Sequence, residues 1–200
     1  MKHAILHLKQ ADPILSEIIE RVGDYRIEFR DPDFETLVKS IVYQQLSGRV
    51  ASVIFARLAK AVGGKLTPEC ILKLRPSRMR ALGLSRQKTT YIRDLARHTR
   101  DGSLAFHELL DLPDEQVIER LTQVKGIGVW TVHMFLIFAL RRLDVLPIGD
   151  LGIRNAIRKA YNLPETPTPA EVEAMATRWR PYCTVASWYL WRSLEPNANL

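Results

Sequence analysis

Residues 121–150 read LTQVKGIGVWTVHMFLIFALRRLDVLPIGD. Two apolar helical patterns meet at a tight hairpin, Gly126-Ile127-Gly128, and a proline–glycine loop then ends in one acid, Asp150. Glycine tolerates positive φ and lets another backbone come close. Ile127, between the glycines, can plug the angle between the helices. The second helix is expected from Val129 to about Leu140. Its first turn carries no acid, and Lys125 stands just before the turn. A phosphate there would meet backbone N–H groups, the positive end of a helix and a lysine. An acid shortly beyond could sit beside the sugar of the same backbone. The combination points to a chain that grips a nucleic-acid backbone and does chemistry on a nucleotide. The competing reading is an ordinary αα-hairpin packed on itself.

Outward from the hairpin the pattern stays helical. Asp33 can cap a helix whose apolar face is Phe34, Leu37, Val38 and Ile41. After a break at Leu46-Ser47-Gly48, residues Val50, Val53, Ile54, Leu58 and Ala61 mark a second helix, which Gly63-Gly64 ends. Thr67-Pro68-Glu69 places a cap before proline at the first helical position. Ser85 opens a helix through Tyr91, Ile92 and Leu95 that stops near Asp101-Gly102, and Leu104–Leu109 reads as a short one. Pro113-Asp114-Glu115 opens the first hairpin helix. Beyond the hairpin, Gly149 or Asp150 starts a helix through Ile153, Ala156, Ile157 and Ala160. Thr168-Pro169-Ala170-Glu171 is a capping box, and Pro181 starts a last helix ending near Ser193. Tyr25–Phe29 alternates like a strand, but nothing nearby pairs with it. No internal repeat, low-complexity run or long linker is visible. The tail from Pro196 is expected to fray.

Two hundred residues make one domain or two small lobes, and 46% hydrophobic residues supply ample core. A formal charge of +7 and a pI near 9.6 suit a polyanionic partner, though charge alone only supports what the hairpin suggests. Cys70 and Cys183 are far apart, with no disulfide framework, which fits a reducing cytoplasm. Two cysteines are too few for a four-cysteine iron–sulfur cluster. The N-terminus lacks a signal-peptide core, and the apolar run Phe135–Leu140 is too short to span a bilayer. The five histidines show no metal-ligand spacing, and His133, mid-helix among apolar residues, reads as structural.

From Phe34 to Trp191 the chain resembles the helix-hairpin-helix (HhH-GPD) DNA glycosylase superfamily, and within it the alkylpurine branch of AlkA-like 3-methyladenine DNA glycosylases II. The resemblance rests on IVYQQLS at 41–47, VKGIGVWT at 124–131 and DVLPIGD at 144–150. RWRPY at 178–182, with Trp188 and Trp191 behind it, is weaker. Four segments in the family's order cover about four fifths of the chain. Many members have proline where Lys125 stands, which makes this hairpin less rigid. The resemblance implies an all-α, two-lobed unit spanning 1–200, without the N-terminal β domain of larger members. Lobe one would be about 33–143, a bundle ending in the hairpin. Lobe two would be about 1–32 plus 144–200. The implied partner is double-stranded DNA containing alkylated bases, met by a cytoplasmic, nucleoid-associated monomer with no membrane role.

The same resemblance assigns roles to residues. The family's catalytic aspartate falls at Asp150. Cleaving an N-glycosidic bond builds positive charge on the deoxyribose, and a nearby carboxylate stabilises it or orients water. A helix N-terminus favours its anion. The plainer reading is an N-cap, and both roles can hold together. Asp144, the competing acid, is expected to bond loop N–H groups. Bifunctional relatives carry a Schiff-base lysine where this chain has Trp130, so the product should be an intact strand with an abasic site. Trp130 and Met134 share one helix face and, with Trp191 and more weakly Tyr43, are assigned to the base pocket. There an aromatic face would attract a cationic purine. Core packing is the alternative for each. Gln45, with Leu46 as runner-up, is the expected wedge filling the gap left by a flipped base, and Ser47 would lie along the minor groove. Otherwise Gln45 simply satisfies a helix end. Lys125, Gly126, Gly128 and Thr131 are assigned to phosphate. Backbone carbonyls of Thr122, Val124 and Ile127 would hold Na+ or K+ when DNA is bound, and no other cofactor is implied. Arg86 and Lys88 are further phosphate candidates, or plain solvated charges.

The implied reaction is monofunctional removal of 3-methyladenine and 7-methylguanine in base excision repair. The neutral lesions hypoxanthine and ethenoadenine would need more help from the site. The rival is a non-catalytic helix-hairpin-helix DNA-binding module, which needs the hairpin and the charge but neither Asp150 nor the tryptophans. An oxidised-purine glycosylase/lyase is disfavoured by Trp130.

Overall fold

The computed structural model describes residues 1–195, and among them every regular element is a helix. The tail from Pro196, expected to fray, lies outside the described residues. In chain order the α-helices are α1 (Lys2–Ala11), α2 (Pro13–Val22), α3 (Phe34–Tyr43), α4 (Gly48–Ala61), α5 (Pro68–Lys73) and α6 (Pro76–Ala81). They continue as α7 (Arg86–Arg100), α8 (Asp114–Thr122), α9 (Val129–Phe138), α10 (Leu151–Ala160), α11 (Pro169–Ala176) and α12 (Cys183–Ser193). Short 3-10 turns stand at Glu108–Leu110 and Thr177–Trp179. The expected helix at Leu104–Leu109 is therefore only a loop leading into one of these turns. The helices α1, α2 and α6 lie where the sequence pattern marked none. For α2 the signal was present: Asp12 followed by Pro13 is a cap before proline at the first position. The alternating stretch Tyr25–Phe29 forms no strand, since an isolated strand without a partner is not stable in water.

The chain divides into two units, Met1–Phe29 with Leu136–Leu200, and Arg30–Phe135. The second dividing point falls inside α9, not past it at 143/144 as expected. The loop after α9 folds back on its last turn, with Arg142 N–H bonded to the Leu136 carbonyl at 2.9 Å, so these residues belong with the C-terminal helices.

In the Arg30–Phe135 unit, α7 packs against α3, α5 and α6. Its inward residues Thr89, Ile92, Leu95 and Ala96 are buried. The helix starts are set by side-chain caps. Asp33 accepts from Thr36 N at 2.9 Å, Thr67 from Cys70 N at 3.3 Å and Ser85 from Lys88 N at 3.1 Å. Each such cap is worth about 1 kcal/mol.

The other unit is built around α12, whose residues Cys183–Leu190 are all buried. Around it lie α2, α10 and α1, with Leu15, Ile19, Ile153, Ile157 and Trp179 in the core. One acid is part of this core. Asp12, 1% exposed, caps α2 through Ile14 N and Leu15 N, both at 3.1 Å. It also accepts from the Tyr161 hydroxyl and from Trp179 Nε1 at 2.9 Å, with Arg178 at 4.0 Å. Burial pushes its pKa up, but the hydrogen bonds from Tyr161, Trp179 and Leu15 outweigh this and the net shift is downward. Asp12 therefore stabilises the fold fully above the unfolded carboxylate value, and that contribution is lost as pH falls through the lower folded value. Asp12→Ala orphans several buried donors and should cost about 3–5 kcal/mol, read by urea unfolding. A loss under about 1 kcal/mol would mean that water replaces the carboxylate.

Candidate active site and hairpin

The hairpin is shaped by what lies beneath it. Gly126 has φ +83°, and a Cβ there would fall 2.0 Å from the Tyr91 ring on α7. Both the backbone and the space therefore demand glycine. Ile127 N–H bonds the Val124 carbonyl at 3.1 Å, and both side chains are buried, so Ile127 does plug the turn. Two side chains from elsewhere in this unit tie the hairpin down. Asp94 Oδ2 accepts from Lys125 N at 3.0 Å, and Gln44 Nε2 donates to the Gly126 carbonyl at 2.9 Å. Asp94 also stands 3.7 Å from Arg97 and 3.8 Å from His98. The α9 ladder begins with Val132 N–H on the Gly128 carbonyl at 3.1 Å. The helix start therefore directs its first-turn N–H groups toward the hairpin mouth.

Of the residues assigned to phosphate, Lys125 and Gly128 are exposed and Gly126 is half-buried. Thr131 differs from them in exposure. It is only 5% exposed. Helical rotation explains this: Val129 and Trp130 face outward at 48% and 49%, and the next step of about 100° turns Thr131 toward the side of buried Val132. Trp130 is thus no core residue, whereas Met134, one turn on, is half-buried. His133 is half-buried, and burial lowers its pKa against an opposing pull from Asp114. Of the three carbonyls considered for a cation, that of Val124 already accepts from Ile127, but a carbonyl oxygen keeps a second lone pair. Among the described residues no group of three or more His, Cys, Asp or Glu converges as a metal site.

The wedge loop follows α3. Gln45 is exposed and held at φ +55°, uncommon for a residue with a side chain, and Leu46 beside it is 39% exposed. Ser47 caps α4 through Val50 N at 3.4 Å. Lys88 is a correction. Its Nζ donates to the carbonyls of Val42 at 2.7 Å and Gln44 at 2.6 Å, closing the end of α3 instead of meeting phosphate. Burial pushes its pKa down. Arg86 remains exposed. A groove of about 460 Å³ brings loop and hairpin together, lined by Gln44, Gln45, Leu46, Lys88, Tyr91 and Gly126. Tyr43, at the end of α3, is half-buried and carries Lys39 Nζ 5.7 Å from its ring centre.

Asp150 and Trp191 belong to the other unit. There the loop 142–150 is pinned to the start of α12. Thr184 Oγ1 donates to the Arg142 carbonyl at 2.8 Å and accepts from Val145 N at 3.0 Å. Asp144 accepts from Cys183 N at 3.1 Å and from Arg180 Nη1 at 2.8 Å, bonds of the kind a structural acid makes. Asp150 N–H closes a turn onto the Pro147 carbonyl at 2.8 Å, and Asp150 then caps α10. Its Oδ1 accepts from Ile153 N at 2.8 Å and from Trp191 Nε1 at 2.9 Å. Asp150 is 9% exposed. Trp191 stacks on Phe138, ring centres 6.0 Å apart and planes 24° from parallel. An indole assigned to the base pocket thus also holds the acid. No role for Gln44, Asp94 or Thr184 was legible in the sequence, because each acts on a residue far along the chain.

Residues 38–181 match the model of the HhH-GPD superfamily of base excision DNA repair proteins. The chain is 39% identical to DNA-3-methyladenine glycosylase 1 of Schizosaccharomyces pombe over 95% of this chain and 86% of that protein. The fold is similar to that of the S. pombe 3-methyladenine DNA glycosylase Mag1 in complex with abasic DNA, with a TM-score of 0.85, 38% identity and 95% of each chain covered. It is equally similar to a DNA-3-methyladenine glycosidase from Bacillus halodurans, with a TM-score of 0.86, 38% identity, and 94% of this chain and 88% of that one covered.

Proposed function

Since the chain belongs to the HhH-GPD superfamily of base excision DNA repair proteins, we propose that it is a monofunctional DNA glycosylase. It removes 3-methyladenine and 7-methylguanine from double-stranded DNA, acting as a cytoplasmic, nucleoid-associated monomer. The observation that carries the reading is Asp150, a buried residue whose carboxylate is held by Ile153 N–H and the Trp191 indole. A carboxylate held in place before reaction is what a developing sugar cation needs. In the reaction the C1′–N bond breaks and its electron pair leaves with the base. An alkylated cationic purine departs neutral, so no strong general acid is required. Asp150 stabilises the positive sugar, and water adds to C1′, giving up a proton, to leave an abasic site.

Recognition is carried by the hairpin. Lys125 and the start of α9 meet phosphate, so binding weakens as salt rises and depends little on sequence. The half-exposed ring of Trp130 offers a face to a cationic purine, an attraction of about 2 kcal/mol when desolvated. Gln45 and Leu46, exposed on a strained loop, fill the place of the flipped base. The carbonyls of Thr122, Val124 and Ile127 would hold Na+ or K+ when DNA is bound. Among the described residues no helix is long and apolar enough to cross a membrane.

The test is incubation with duplexes carrying 3-methyladenine, 7-methylguanine, hypoxanthine or ethenoadenine, followed by chromatography of released bases. Free methylated purines over many turnovers support an enzyme. Tight duplex binding with no base released leaves the non-catalytic DNA-binding module. The product strand should stay intact, because Trp130 offers no primary amine for a Schiff base. Borohydride should trap no enzyme–DNA adduct, and strands should break only after hot alkali. Efficient trapping would place a lysine at the reacting sugar.

A further inference from the structure

The first turn of α10 and one ring of α12 close on Asp150 from two sides. Gly152 lies two residues past the acid, within the helix. A Cβ on Gly152 would fall 2.9 Å from Asp150 Oδ1, 3.4 Å from Trp191 Cδ1 and 3.5 Å from Trp191 Nε1. Gly152 is not among the positive-φ residues, so its backbone accepts an alanine and only the space refuses one. The Trp191 indole reaches across to Oδ1 at 2.9 Å, and Phe138 stacks on the indole and sets its plane. An N-cap needs only the bond from Ile153 N–H. A tryptophan serving as apolar filler needs no carboxylate.

We propose that Trp191 and Gly152 are positioning residues for Asp150. Two N–H groups converging on Oδ1 fix both side-chain torsions, and with them the place of the second carboxylate oxygen. The bare Cα of Gly152 leaves the room in which this happens. The inference rests on Asp150 acting on the sugar, as proposed above. A carboxylate that stabilises developing charge works only from the right place, and a misplacement near 1 Å can cost about 10²-fold in rate. The helix therefore carries its poorest non-proline former at a point where alanine has the higher intrinsic propensity.

The test compares Gly152→Ala, Trp191→Phe and wild type in three measurements. These are single-turnover release of 7-methylguanine, affinity for a duplex with a tetrahydrofuran abasic analogue, and melting temperature. Gly152→Ala sets a gain in helix propensity against a displaced cap, so it should stay folded with a melting temperature near wild type, bind the analogue equally well and release base about 10–10²-fold more slowly. Trp191→Phe keeps a ring against Phe138 but loses the N–H. It should lose about tenfold or more in rate at unchanged affinity. In an Asp150→Asn background neither substitution should lower the residual rate further, since both act through the carboxylate. Wild-type rates in Gly152→Ala would overturn the inference. So would a Trp191→Phe defect confined to affinity, which would make the ring a wall of the base site only. An active wild type separates these outcomes from failure of the functional reading: a wild type that releases no base overturns that reading and this inference with it.

Discussion

Asp150→Asn should lower single-turnover release of 7-methylguanine by about 10²–10³-fold, with duplex affinity and melting temperature nearly unchanged. Asparagine keeps the shape of aspartate and an oxygen that can accept from Ile153 N–H and the Trp191 indole. Only the charge is lost, and the charge is what the sugar cation needs. The contrast is Asp144→Asn. Its ion pair with Arg180 is 33% and 48% exposed on its two sides, so its loss should cost at most about 1 kcal/mol and leave the rate intact. Wild-type excision by Asp150→Asn would remove this acid from the mechanism. If Asp144→Asn abolished turnover at an unchanged melting temperature, the two roles would have to be exchanged.

Gly126→Val should be the most damaging substitution in the hairpin. The left-handed backbone alone costs a non-glycine residue about 1–2 kcal/mol, and more when it is β-branched. The Cβ would also stand 2.0 Å from the Tyr91 ring, so the ring must leave its place on α7. The combined loss should reach about 3 kcal/mol or more by urea unfolding. Affinity should fall alike for damaged and undamaged duplexes of any sequence, because phosphate contacts carry no base information. Gly126→Ala in a Tyr91→Ala background should recover the share due to overlap but not the share due to φ. A binding defect on one sequence and none on another would contradict backbone recognition by this turn.

What the residues determined by themselves is local. The glycine pair and Ile127 set the hairpin, and Asp33, Thr67, Ser85 and Asp150 marked helix starts that the structure has in place. Such signals act between residues three or four apart, where helix geometry is known in advance. The order of the four segments was equally legible, and it pointed to the family that the chain belongs to. Tertiary packing decided the rest. Trp191 meets Asp150 across 41 positions, Gln44 meets Gly126 across 82, and Asp94 meets Lys125 N across 31. No periodicity links such pairs, because their partners are chosen by how helices stack and not by where residues fall along one helix. The same stacking drew Lys88 onto the end of α3. It also made Gly152 a requirement of space: a missing side chain has meaning only when the atoms around it are known. The sequence could single out Asp150 as a candidate, but only the fold could supply the groups that hold it.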